Sequence, residues 1–219
     1  MSREERAESE TKKYQALKDG GKYYGHLNHA AGLMPLLQQF DMPNGAADFG
    51  CGNGDLIKFL SYRCFPEAKF YGIDLVEYDG FPHSDTCELI KGYMTDTGLP
   101  DNCVNFSFAF DSLEHIPPKD VPDVIWEMYR VATCGIITRI PDNERGNKHL
   151  SVHPYQWWHE EFTRVLNHIN LDIMRIQCNI PGNRHGILRK DQYGPYDVFL
   201  FRDPAFDEYL VDRDKTRWY

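Results

Sequence analysis

At 219 residues, with 42% hydrophobic and 26% charged side chains, the chain can bury a sizeable core and has the composition of a globular protein. A formal net charge of −9 argues against the broadly basic surface that phosphate-driven nucleic-acid binding requires. No apolar run reaches the roughly 20 residues of a membrane-spanning helix, and the charged start (Arg3, Glu4, Glu5, Arg6) has no signal-peptide core, so we expect a cytoplasmic protein without membrane contact.

In chain order, residues 2–19 read as a polar, charge-laced helix stopped by Gly20 and Gly21. A loop over 22–29 leads to a second helical segment with apolar Leu33, Leu36, Leu37 and Phe40, closed by the turn Pro43-Asn44-Gly45. Strands and helices then alternate. Residues 46–49 are short and apolar, as a buried parallel strand should be, and a glycine loop joins them to a helix through Leu56, Ile57, Phe59 and Leu60. Strands are expected at 69–73, 88–90, 104–110 and 135–140, with a helix at 122–130 before the last of these. A helix at 154–168 and strands near 173–178 and 197–201 complete the pattern, and those two strands could pair as an edge hairpin. Such alternation predicts an α/β fold with a parallel sheet covered on both faces. The six cysteines (Cys51, Cys64, Cys87, Cys103, Cys134, Cys178) contain no C-x-x-C pair, which suggests reduced thiols and argues against a zinc knuckle.

The strongest local signal is Asp48-Phe49-Gly50-Cys51-Gly52-Asn53-Gly54, between a strand and a helix. Glycines at alternate positions allow a sharp turn and a close ligand approach, and the helix behind them offers free N–H groups. About 20 residues on, the next strand ends at Asp74, placed to accept hydrogen bonds from ribose hydroxyls. A dinucleotide site usually reads G-x-G-x-x-G with no acid ahead of it. Here the spacing is G-x-G-x-G, and Asp48 would repel a pyrophosphate but suits a cationic amino group or sulfonium.

These residues resemble the class I S-adenosylmethionine-dependent methyltransferases. The resemblance continues through Lys91-Gly92-Tyr93-Met94-Thr95-Asp96, through Phe110-Asp111-Ser112-Leu113-Glu114-His115-Ile116, and to Arg130-Val131, covering roughly residues 45–140. It implies a Rossmann-like, mostly parallel seven-stranded sheet with helices on both faces. Residues 1–44 would form an N-terminal helical cap and residues 45–219 the methyltransferase domain, with a C-terminal strand hairpin and tail. It also implies S-adenosylmethionine as cofactor, contacted by Asp48, Gly50, Cys51, Gly52, Gly54, Asp74, Leu75, Thr95, Asp96, Phe110 and Asp111. Many relatives carry an acid where Thr95 stands, so Asp96 or a backbone amide would substitute at adenine.

For the chemistry, His115 is the candidate base, because it follows the fourth strand and its side-chain type titrates near neutral pH; Asp111 is the candidate for positioning the acceptor. The aromatic and imidazole-rich segments on either side of the core supply candidate acceptor contacts in Tyr24, His29, His153 and Trp157. Trp157 and Trp158 are adjacent in a helix and cannot face the same way, so at least one belongs to the core. Those flanking segments resemble, loosely, small bacterial and bacteriophage-type methyltransferases. No metal is assigned; Asp111, Asp142 and Asn143 could converge on magnesium, but such oxygens are common in loops. The acidic charge points to a hydroxyl acceptor on a small molecule or sugar. A protein or nucleic-acid acceptor and a non-catalytic binding subunit are the alternatives. The oligomeric state is not legible.

Overall fold

The computed structural model describes residues 2–22, 24, 42–141 and 149–166, together with the backbone of 173–175 and 196–201. The expected second helix (33–40), His29 and the loop at 181–195 lie outside the described residues. Helix α1 (Arg3–Asp19) begins at Ser2 with a capping box: the Ser2 side chain accepts from the Glu5 N–H while Glu5 reaches back to the Ser2 N–H. Gly20 closes the helix, as the sequence predicts.

Strand β1 (Ala46–Phe49) is buried throughout. Helix α2 (Asp55–Phe59) continues into one π-helical turn at Leu60–Cys64. Next come β2 (Phe70–Asp74), β3 (Cys87–Lys91) and β4 (Val104–Phe110). Helix α3 (Val121–Val131) runs directly into β5 (Ala132–Ile140), and α4 (Tyr155–Leu166) precedes two short strands, β6 (Ile173–Arg175) and β7 (Tyr196–Phe201).

The sheet order is β3-β2-β1-β4-β5-β7-β6. Five strands, β3 through β5 in that order, form the parallel body. The last two depart from it: β7 runs antiparallel to β5, and β6 pairs antiparallel with β7 at the edge. A chain leaving β6 can turn back beside it without a crossover helix, which an antiparallel pair permits and a parallel pair does not.

Two apolar layers follow from the period-two alternation of side chains. On one face α3 and α4 pack Val124, Ile125, Met128, Trp158 and Phe162 against Phe49, Ile73, Ile136 and Ile140. On the other, Leu56, Ile57 and Leu60 of the α2 segment cover Phe70, Phe106, Phe108 and Ile137. Phe162 is fully buried, and its truncation to Ala would cost about 3–5 kcal/mol. Several polar groups in the interior are paired: Ser107 donates to the Met128 carbonyl at 2.8 Å, and Glu127 accepts from Thr97 and Arg130. The cysteines among the described residues are all free thiols. Among those residues no helix is long and apolar enough to cross a membrane.

Candidate active site

Consecutive parallel strands end side by side, so whatever follows them is gathered along one sheet edge. Gly50 follows β1, Asp74 ends β2, Gly92 follows β3 and Asp111 follows β4. All four line one cleft.

The glycine loop is folded back on β2. The Gly50 N–H donates to the Ile73 carbonyl at 2.8 Å, and the Gly52 N–H donates to Asp74 Oδ2 at 2.9 Å. Gly50 has φ +84°, and a Cβ there would stand 2.5 Å from that of Ser112. Only glycine lets β1 and β4 close this tightly, with the Ser112 hydroxyl donating to the Phe49 carbonyl at 2.8 Å. Asp111 sits at φ 51°, a left-handed conformation that Asp tolerates better than most residues, and its N–H donates to the Arg139 carbonyl.

Acidity gathers at this edge. Burial raises the Asp74 carboxyl above its usual range, against the opposing pull of the Val76 and Gly52 N–H groups. Asp48, only 5% exposed, is pushed up to about 7 by burial and by the neighbouring Asp74. Glu10 and Asp111 also line the cleft. A cation entering here would relieve the mutual repulsion, whereas a pyrophosphate would add to it.

The roof comes from α1. Its residues Arg6, Glu10 and Tyr14 recur every four positions and share one face. Arg6 is buried and forms two hydrogen bonds to Asp120, one from Nε at 2.8 Å, and Asp120 also accepts from the Tyr93 hydroxyl at 3.1 Å. Burial alone would raise Asp120, but the Arg6 and Tyr93 hydrogen bonds outweigh it and hold the carboxyl low. Thus anchored, α1 lays Glu10 and Tyr14 along the cleft. Tyr14, Tyr24 and Tyr78 meet edge to face, with centroids 5.9 and 6.2 Å apart, and the Tyr24 carbonyl accepts from the Asn53 N–H of the glycine loop.

Among the expected cofactor contacts, the structure brings Gly50, Asp74, Leu75 and Asp111 to the cleft, and it adds His115 and Tyr24 from the other candidates. The cleft lining does not include Asp48, Cys51, Gly52, Gly54, Thr95, Asp96 or Phe110. Asp48 is buried in β1, and the Gly52 N–H is taken up by its bond to Asp74. Cys51 is buried, its sulfur packed where a Cβ on Gly72 would fall. A Cβ on Gly54 would meet Phe81 and Pro82. Instead of Thr95 and Asp96, the third-strand wall is Gly92, Tyr93 and Met94. His153 and Trp157 stack on each other at 3.8 Å and do not line the cleft, while Trp158 is fully buried in the core. His29, Asp142 and Asn143 lie outside the described residues. Glu10, Tyr14 and Tyr78 escaped the sequence reading; the four-residue spacing of Arg6, Glu10 and Tyr14 was the one available signal.

A parallel sheet of this order, with a glycine turn after β1, an acid closing β2 and an acidic cleft above them, defines a class I methyltransferase fold. The family model described as "Methyltransferase domain" matches residues 46–135. Over those residues the chain is similar to the methyltransferase domain family. No curated protein matches it. Among solved structures it is similar to the 1,6-didemethyltoxoflavin-N1-methyltransferase of Burkholderia thailandensis (TM-score 0.64, 13% identity, covering 93% of this chain and 91% of that one). It is also similar to a chain of the complex between the Haloferax volcanii Trm112 methyltransferase activator and a methyltransferase (0.61, 10%, 89% and 95%). An S-adenosylmethionine-dependent methyltransferase from Aquifex aeolicus gives 0.54 at 18% identity, covering 81% and 92%.

Proposed function

We propose that the protein methylates a hydroxyl of a small molecule or sugar. The observation that carries this reading is the enclosure of one cleft by donor-side residues (Gly50, Asp74) and by His115. On this reading Asp74 receives the two ribose hydroxyls of S-adenosylmethionine. Asp48 and the acidic wall offset the positive charge of its methionine half. Tyr24 and Tyr78 offer aromatic surface to the sulfonium. Holding oxygen, methyl carbon and sulfur in line can supply on the order of 7–11 kcal/mol. A hydroxyl must also lose its proton; in the metal-free protein His115 accepts it, while Asp111 orients the acceptor. The oxygen then bonds the methyl carbon as the C–S bond breaks, and the sulfur keeps the electron pair as a neutral thioether.

The net charge of −9 favours a small acceptor over RNA. Incubation with methyl-labelled donor and size-fractionated cell extract tests this. Label is expected in the small-molecule fraction as an alkali-stable ether; label confined to protein or RNA would overturn the assignment of acceptor class.

A further inference from the structure

We propose that Glu114, His115 and His149 form a site for one divalent transition-metal ion on the acceptor side of the cleft. The metal's role in catalysis rests on the acceptor reading above; its binding does not.

One ligand atom from each of the three residues lies within 4.8 Å of the other two. Ligand atoms about 2.1 Å from a shared ion stand roughly 3.4 Å apart at a tetrahedral angle, and Glu114 Oε1 is already 3.6 Å from His115 Nε2. The two imidazoles meet edge to face with centroids 4.8 Å apart. To complete the set, the His149 nitrogen has to close in from within 4.8 Å of the other two ligand atoms.

The second observation concerns Glu114 itself. Its side chain is 1% exposed, and Oε2 has no hydrogen-bond partner among the described residues. Burying a carboxylate oxygen this way is costly unless something pairs with it. The nearby His115 serves only the other oxygen. A cation serves both.

His149, thirty-odd residues away in sequence, is held in place by the backbone around it. The N–H groups of Leu150 and Ser151 both donate to the Glu114 carbonyl, at 2.7 and 2.9 Å, and the Ser151 hydroxyl donates to the Ile116 carbonyl at 2.6 Å. Three hydrogen bonds therefore tie the two ligand-bearing segments together, the kind of outer support that metal sites need.

The donor set chooses the metal. Two imidazoles and one carboxylate suit manganese, iron, cobalt or zinc, whereas magnesium and calcium prefer oxygen alone. Three protein ligands leave a position open, and His115 also lines the cleft, so that position can be reached by an acceptor. A hydroxyl bound there would lose its proton to water near neutral pH, and its oxygen would attack the methyl group as already described. His115 would then serve the proton step as a ligand in place of accepting the proton.

The test titrates full-length, metal-stripped protein with Co²⁺, read by its visible absorption, and measures S-adenosylhomocysteine binding by calorimetry on the same samples. One Co²⁺ per chain is expected, bound about tenfold or more weakly by E114Q, H115A and H149A. S-adenosylhomocysteine binding should persist in E114Q and H149A. No stoichiometric Co²⁺ binding, or binding undiminished in H149A and E114Q, would overturn the site. Should E114Q fail to fold, H149A decides. Co²⁺ binding by protein that ignores S-adenosylhomocysteine would sink the donor reading and keep the metal; the reverse result would do the opposite.

Discussion

The two halves of the cleft are built by different means. The donor half consists of strand ends and backbone hydrogen bonds: Gly50 to Ile73, Gly52 and Val76 to Asp74. On the proposed reading, the acceptor half consists of side chains from distant parts of the chain: Glu10 and Tyr14 on α1 and His115 after β4, with His149 from beyond β5 beside His115. Altering the first half disturbs the sheet itself. Altering the second leaves the sheet intact, so acceptor choice can vary on a fixed donor platform.

That contrast can be broken by substitution. The largest expected effect is on turnover: H115A should lower kcat by about 10²- to 10⁴-fold while S-adenosylhomocysteine affinity stays near wild type. Equal losses in both would place His115 in the donor half. Next, D74A removes the acceptor of the Gly52 and Val76 N–H groups and of the ribose hydroxyls. Donor affinity measured by calorimetry should fall about 10²-fold, in line with roughly 1.5–3 kcal/mol for each charged hydrogen bond lost. G50A forces a positive φ on alanine and a clash with Ser112, and should cost about 1–3 kcal/mol in denaturant unfolding. R6A should free α1, seen as faster amide exchange confined to that helix and a raised acceptor KM with unchanged donor affinity.

A pH dependence is expected as well. An unfolded Asp titrates near 3.9, whereas Asp48 in the fold is pushed up to about 7. Between those values the unfolded chain has released a proton that the folded protein still holds, so ligand-free stability falls as pH rises from about 4 to about 7. A cationic donor favours ionised Asp48 and reverses the trend. The rise in Tm caused by S-adenosylmethionine should therefore be larger at pH 7.5 than at pH 5.5. An equal rise at both would detach Asp48 from the donor.

The strands of the parallel body were legible because short apolar runs bounded by glycine and polar residues have few other uses in a chain of this composition. The turn at Gly50 and the acid at Asp74 were legible because their constraint is local: a backbone that must bend, and a carboxylate at the end of a strand. The edge pairing of β6 with β7 was open to reading as a hairpin, yet the antiparallel insertion of β7 beside β5 is a matter of sheet topology. Helix α1 read as a polar, charge-laced helix of the N-terminal cap with no inward face assigned, because that face is Arg6, Glu10 and Tyr14 and no apolar stripe marks it.

By itself, then, the sequence determined the alternating architecture, the glycine turn after β1 with the acid closing β2, and the inward position of one of the paired tryptophans, since each follows from spacing along a strand or helix. Only the tertiary structure decided that Trp157 stacks on His153 away from the cleft, that Tyr93 and Met94 wall the third strand's end, and that Glu114 and His149 meet. Those juxtapositions depend on hydrogen bonds between segments far apart in the chain, and no local spacing encodes them.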